Sequence, residues 1–394
     1  MRDFDLMDMS DKDDDTSSRE AVFSSKNKRL FYLYGDVNAK NCADIASDAE
    51  IVELEAEANA LEKEKTVEQK SIYELLEEEI MNLDISDGEK AKRLSRLIKV
   101  RGKKTNIMLV GSTGAGKSST VNALFNMDVA KVGVGVDPET MAITKFELDN
   151  LVIWDTPGLG DGVDNDERIT RNIIEKLNEL DEGGVPLVDL VVVILDASTK
   201  DLGTSYDIIN KVLIPCLGED APNRIILALN QADIAMKGTH WNADKNEPDE
   251  VLRNFLKKKA ASVQARIKEG TGLDIRPVWY CAGYKEEGGE QRKPYNLTKL
   301  LYCIIKAIPK DKRLALADNI NDDEDNWIYD DKEEDYKAKV KAGFCETVWS
   351  CISDGAESGI EIGGNILGIP GKIVGATIGS AVGAVKGVFT AIFG

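Results

Sequence analysis

The sequence predicts an α/β fold, with a mostly parallel six-stranded sheet flanked by N-terminal helices and by a C-terminal glycine-rich helical hairpin. Three observations predict it. Between Thr105 and Pro309, short β-branched runs alternate with helical patterns, the texture of a parallel sheet covered on both faces. Before that block, apolar residues recur three or four apart at Ile51, Leu54, Ala58 and Leu61, and again at Ile72, Leu75, Leu76 and Ile80. After it, glycine recurs every fourth residue.

The 394 residues include 50 Lys+Arg against 70 Asp+Glu, a formal charge of −20, and 42% are hydrophobic. This length allows one full core plus extra segments, because single cores stop growing near ~250 to 300 residues. The acidic balance argues against DNA or RNA as a general partner, since lysine and arginine must displace counterions from a phosphate backbone. The six cysteines are widely spread without a C-x-x-C pair, and His240 is the one histidine. That suits neither a zinc site nor a disulfide framework and fits a reducing, cytoplasmic compartment. The N-terminal run MRDFDLMDMSDKDDD lacks the apolar stretch of a secretory signal.

In chain order, residues 1–45 read as an acidic, mostly disordered tail and 46–104 as a helical segment. Ser86 and Glu89 have capping-box spacing, and Ala91, Leu94, Leu97 and Ile98 mark the face of the helix that follows. Eight Lys/Arg and no acid lie between Lys90 and Lys104. This is either a solvated face or a surface for an anionic partner such as lipid headgroups or RNA. Strands are predicted at Asn106 to Val110, Thr144 to Leu148, Leu151 to Trp154, Leu190 to Leu195, Arg224 to Leu229 and Ile275 to Tyr280. Helices should follow every strand but the second. Residues 310–336 read as an acidic linker, because Asp318 to Tyr336 holds ten acids and one lysine. A separate element is expected over 337–394.

The first strand runs into Gly111-Ser112-Thr113-Gly114-Ala115-Gly116-Lys117-Ser118, with Ser119 next. This is G-x-x-x-x-G-K-[ST] between a strand and a helix. Its glycines let backbone N–H groups curl around phosphates at a helix N-terminus, Lys117 reaches the β- and γ-phosphates, and the Ser118 hydroxyl is a Mg²⁺ ligand. Asp155-Thr156-Pro157-Gly158 follows the third strand. There Asp155 can hold the metal through water, and the Gly158 amide meets a γ-phosphate. Thr140, in the loop before the second strand, can bring its hydroxyl to the same ion, with Thr144 as its nearest competitor.

Base choice rests on Asn230-Gln231-Ala232-Asp233. A carboxylate at Asp233 accepts from guanine N1–H and N2–H₂ together, whereas adenine would leave it unpaired. Cys281-Ala282-Gly283 after the last strand supplies a tight turn whose Ala282 amide can donate to guanine O6.

These five segments resemble the guanine-nucleotide motifs of the TRAFAC GTPases, and D-T-P-G-L-G-D-G resembles their Era-like and septin-like branches. The chain looks most like prophage-type Era-like bacterial GTPases labelled 50S-ribosome-binding GTPase domain proteins. The resemblance covers residues 105–309 and implies a P-loop GTPase G domain binding GTP/GDP with Mg²⁺, with Lys117, Thr140 and Gly158 around the reacting phosphate. It implies switch loops around Thr140 and around Leu159 to Asp166. Ribosome binding is not supported, because an acidic segment and not a G-x-x-G RNA-binding module follows. The usual N-K-x-D lysine, whose stem covers the base, is here Gln231, which can still pack on the ring. Leu159 stands where Ras-like switches carry a water-orienting glutamine, so hydrolysis should be slow unless a group such as Ser112, Asp161, Arg168 or a second G domain assists. A scaffold that holds GTP without turnover is the alternative.

The C-terminal glycines are Gly355, Gly359 and Gly363, then Gly371, Gly375, Gly379, Gly383 and Gly387, with Gly368-Ile369-Pro370-Gly371 between the two runs. Each interior glycine costs up to ~1 kcal/mol against alanine, so a repeated series implies close helix packing. Gly371 to Phe393 is 23 residues without an acid, near the ~20 of a bilayer span, yet it contains Lys372 and Lys386. Membrane association, self-association into a homodimer or larger oligomer, and folding back on the chain all remain open.

Overall fold

The computed structural model describes residues 70–125, 142–160, 162–200, 202–285 and 291–352. The chain divides into two units, Met1–Glu68 and Gln69–Gly394, and all described residues lie in the second. The helical pattern at Ile51 to Leu61, the Thr140 loop, Asp161 and the glycine ladder lie outside the described residues.

The elements in order are helix α1 (Ile72–Asn82), α2 (Asp87–Arg101), strand β1 (Thr105–Gly111), α3 (Lys117–Leu124), β2 (Thr144–Leu148), β3 (Leu151–Asp155), α4 (Val163–Asn178) and β4 (Leu190–Asp196). Next, α5 (Gly203–Ile208) runs through a π-helical turn, Ile209–Leu213, into α6 (Ile214–Leu217). The remaining elements are β5 (Ile225–Asn230), the hairpin β6 (Trp241–Asn242) and β7 (Glu247–Pro248), α7 (Glu250–Thr271), β8 (Val278–Trp279), the hairpin β9 (Tyr284–Lys285) and β10 (Gln291–Arg292), α8 (Leu297–Ala307), α9 (Leu314–Ala317) and α10 (Tyr336–Cys351).

Six strands form one sheet in the order β2-β3-β1-β4-β5-β8, with β2 antiparallel to β3 and every other pair parallel. β1 is buried throughout and β4 nearly so, as a sheet covered on both faces requires. One face packs on α4, α5, α6 and α7, and the other on α3, α8 and the flanking helices α1, α2, α9 and α10. The expected α/β architecture and strand-to-helix alternation are present, while the sixth strand, expected over Ile275 to Tyr280, is confined to Val278–Trp279.

Three differences from the sequence reading have physical causes. The full capping box lies at α1, where the Ser71 side chain accepts from Glu74 N–H and Glu74 answers the Ser71 N–H. At α2 the Ser86 side chain accepts from Glu89 N–H at 3.3 Å. Second, α2 buries Arg93, Leu97 and Val100, leaving Ile98 69% exposed. Of the expected face, Leu97 is buried and Leu94 packs partly on the core, while Ala91 and Ile98 point outward, because the covered stripe is narrow.

Third, residues 310–336 do not behave as a linker. Ile320 and Trp327 are fully buried, and Asn319 to Trp327 form a strap across the end of α3. Asn321 N–H donates to Leu124 O at 2.9 Å, its side chain to Asn122 O at 2.7 Å, and Asn326 to Ala123 O at 3.4 Å. These bonds satisfy carbonyls that a helix C-terminus leaves open. Three of the acids are internal: Asp318 accepts the Ile72 N–H that opens α1, Asp331 is ion-paired with Lys299, and Asp330 has a buried Oδ1. Burial pushes the Asp318 carboxyl up to about 7, with Asp149 and Glu74 adding to the shift. The counted charge concealed two apolar anchors. Nor is residue 337 a boundary, because α10 packs on α8 through Val340, Phe344, Cys345 and Val348.

Candidate functional site

The site lies at the C-terminal edge of β1, β3 and β5, where parallel strands deliver their loops. β1 ends at Gly111 and α3 begins at Lys117, so the intervening loop ends on a helix N-terminus, the place where backbone N–H groups and the helix dipole favour an anion. Gly116 adopts φ +91°, and a Cβ there would run into Asn230 Nδ2, so only glycine lets the loop pass this close. Lys117 Nζ donates to Gly111 O at 3.2 Å and Ser112 O at 3.4 Å. Ala115 is buried, whereas Thr113, Gly114 and Ser118 are exposed and Ser112 and Ser119 half-buried.

The Asp155 to Gly158 segment is laced onto this loop. Thr156 N–H and Oγ1 both donate to Leu109 O, at 3.2 and 2.8 Å. Leu159 N–H donates to Gly111 O at 3.2 Å and Thr113 N–H to Leu159 O at 3.1 Å. Gly158 therefore lies against Thr113. Leu159 is 3% exposed and belongs to the core, so its side chain cannot orient a water. Of the groups considered as assisting hydrolysis, Ser112 is bridged to Leu159 and Arg168 is exposed on α4.

Asp155 is the least satisfied acid in the site. Its Oδ1 is sealed from solvent and has no hydrogen-bond partner. Burial pushes its carboxyl up to about 6, against the pull of Lys117. A buried carboxylate oxygen without a partner is costly, and a hard divalent cation with oxygen ligands is the group that removes that cost. Asp155 and the exposed Ser118 hydroxyl supply such oxygens beside Lys117, so these residues fit Mg²⁺. Thr144 is exposed and pairs across the sheet with Asp155.

At the base end, Asn230 ties three segments together. Its Nδ2 donates to Ala115 O at 3.0 Å, and its Oδ1 accepts from Ala282 N–H at 3.0 Å. Gln231 sits at φ +61° and donates to Gly114 O at 2.6 Å. Asp233 pairs with Arg292 at 3.3 Å. A cavity of about 330 Å³ is lined by Gly116, Ser119, Asn230, Asp233, Ala282 and Arg292, among others.

Two expectations change here. The Ala282 amide, expected to face guanine O6, is engaged by Asn230. Cys281 is buried, exchanges both backbone hydrogen bonds with Tyr295 and does not line the cavity, and its thiol lies against Asp233, so it supports that carboxylate from behind. Gln231 lines the cavity while its amide donates to the P-loop carbonyl of Gly114. Two further contributors carry no motif. The Tyr280 hydroxyl donates to Thr120 Oγ1 at 2.6 Å, which donates to Gly116 O at 2.7 Å, bracing the loop from behind. Arg292 reaches Asp233 from a hairpin 59 residues away. Each partnership is long-range, so local spacing held no signal for it.

Residues 105–264 match the family described as AIG1. Immune-associated nucleotide-binding protein 3 of Arabidopsis thaliana is 39% identical over 101 residues, 24% of this chain and 30% of that protein. Cell division control protein 10 of Saccharomyces cerevisiae is 36% identical over 84 residues, 18% of this chain and 26% of that protein. Septin-12 of Homo sapiens is 41% identical over 73 residues, 16% of this chain and 20% of that protein. The chain thus spans between a fifth and a third of the length of these relatives. Among solved structures, Toc33 from Arabidopsis thaliana in complex with GDP and Mg²⁺ is similar at 18% identity, covering 58% of this chain and 95% of that one, with a TM-score of 0.36. A probable GTP-binding protein engB is similar at 19% identity, covering 52% and 98%, with a TM-score of 0.32. With the P-loop, the D-x-x-G turn and the N-Q-A-D turn gathered at the carboxyl ends of β1, β3 and β5, this chain carries a GTP-binding G domain of the P-loop GTPase type.

Proposed function

We propose that the chain is a Mg²⁺-dependent GTP-binding protein that hydrolyses GTP slowly and uses its nucleotide state to control the exposure of its C-terminal hairpin to a membrane surface or partner. The observation that carries the nucleotide reading is the sealed, unpartnered Asp155 oxygen beside Lys117 on a P-loop laced to the D-x-x-G turn. In this reading the amides of Gly111 to Ser119 and Lys117 bind the phosphates, the Gly158 amide holds the terminal one, and Asp233 reads guanine. Ser118, Asp155 and Thr140 hold Mg²⁺, which when bound neutralises charge on the phosphate oxygens. Slow turnover follows from Leu159, a buried apolar side chain where a water-orienting group would stand.

Lys117→Ala should weaken GTP binding by about 100-fold, the scale of losing charge-assisted hydrogen bonds to phosphate. Titration of a fluorescent GTP analogue checks this, and equal affinity in the two proteins removes the site assignment. The buried Leu159 also favours a second reading, a scaffold that holds GTP without turnover. Phosphate released in excess over wild-type protein, and absent from Lys117→Ala, eliminates it.

The membrane part rests on the glycine ladder and the 23-residue stretch without an acid. Among the described residues no helix is long and apolar enough to cross a membrane. Because α10 belongs to the core, the informative truncation ends after Ile352. The full chain loaded with GTP should float with anionic liposomes and the truncation should not; identical soluble fractions overturn this part.

A further inference from the structure

We propose that Arg292 is a specificity-determining residue of the base pocket, and that it and Gln231 divide the work which a single lysine does in the usual N-K-x-D turn. The inference rests on the guanine-nucleotide reading above and adds a residue that no motif contains.

The lysine of an N-K-x-D turn supplies a cation and a cover for the base. Here its position is Gln231, which has no charge, and the Gln231 amide is committed to the P-loop through its 2.6 Å bond to Gly114 O. The pocket therefore needs a cation from elsewhere, and Arg292 is the one among its described lining residues. Its Nη1 lies 3.3 Å from Asp233 Oδ2, with the Asp233 side chain 15% exposed and that of Arg292 53% exposed. A carboxylate has about four lone-pair sites, so the bonds from Arg292 and from the Cys281 thiol still leave sites for guanine N1–H and N2–H₂. The guanidinium is planar and permanently charged, which suits it both to fix a carboxylate and to lie against the face of a purine.

The backbone that presents Arg292 is tied down at several points. β9 and β10 pair Arg292 with Tyr284. Cys281 and Tyr295 exchange two hydrogen bonds, of 2.9 and 3.0 Å. Asn246 Nδ2 donates to the carbonyls of Lys293 and Pro294 at 3.1 and 3.0 Å. Gly283, at φ +77°, lets the returning strand pass, since a Cβ there would meet Arg292 O at 2.5 Å. The Cys-Ala-Gly turn thus makes its contribution through the hairpin it admits: Ala282 holds Asn230, and Gly283 seats Arg292.

The test is a double-mutant comparison of GDP affinity, with thermal melting of each nucleotide-free protein as the check on folding. Arg292→Ala should weaken GDP by about tenfold and leave the melting temperature unchanged, because half of the side chain is in solvent. Gln231→Lys in the Arg292→Ala background should restore most of the lost affinity, whereas Gln231→Lys alone should add little. A purely structural role for Arg292 would not be rescued by a lysine on a different loop. GDP affinity unchanged in Arg292→Ala overturns the proposal, as does a loss that Gln231→Lys fails to recover. Wild-type protein that binds no guanine nucleotide overturns the functional reading, and this inference with it, so the two failures are told apart by the wild-type titration.

Discussion

Replacing Trp327 with alanine is expected to cost about 4 kcal/mol, within the range for removing a fully buried large aromatic side chain, and to lower the melting temperature by about 10 °C. Trp327 has no exposed surface, and its Nε1 donates to Asn321 O at 2.8 Å. It therefore packs the strap from inside while holding the residue that caps α3. Because the strap bonds to the carbonyls of Asn122, Ala123 and Leu124, the last turn of the P-loop helix should loosen as well. GDP release should be faster in Trp327→Ala than in wild type at a temperature where both are folded. Differential scanning fluorimetry and a nucleotide-chase experiment check the two effects. A melting temperature within 2 °C of wild type would show that the segment is the acidic linker its composition suggested.

Asp318→Asn is expected to stabilise the nucleotide-free chain by about 3 kcal/mol at pH 7.5. The asparagine keeps an oxygen for the Ile72 N–H that opens α1 and removes a buried charge. The folded carboxyl is raised from 3.8 to about 7 by burial, helped by Asp149 and Glu74 and opposed by Arg101. With the folded pKa above the unfolded one, the native state binds the extra proton between these values. Wild-type stability contributed by this group is therefore fully present below about pH 4 and is lost as pH rises toward about 7. Urea denaturation at pH 5 and pH 7.5 reads this directly: the gap between variant and wild type should be small at the lower pH and large at the higher. A variant no more stable than wild type at pH 7.5 would remove Asp318 as a source of pH dependence.

Both predictions concern residues that the linear chain disguised. Asp318 and Trp327 lie in a stretch holding ten acids and one lysine, and a charge count gives two apolar residues among so many acids no weight. Their burial depends on α1, α3 and α8 converging there, with hydrogen bonds that span about 200 residues and more. The same holds at the base pocket. Asn230 and Asp233 are readable because a strand end followed by a turn fixes their chemistry locally, but Arg292 becomes part of the pocket only when a hairpin folds back on Asp233.

What the sequence determined by itself was everything governed by short-range periodicity and local backbone geometry: six strands, the helices between them, the glycine loop before a helix, and Asp155 at the end of a strand. Such features depend on residues within a few positions of one another, so their physics is written in the order of the chain. Tertiary structure alone decided which acids are inside, which face of α2 is covered, that the Ala282 amide serves Asn230, that Leu159 is sealed in the core, and that Asp155 keeps an oxygen with no partner. Burial and hydrogen-bond satisfaction are properties of neighbours brought together by folding, and no spacing rule along the chain can supply them.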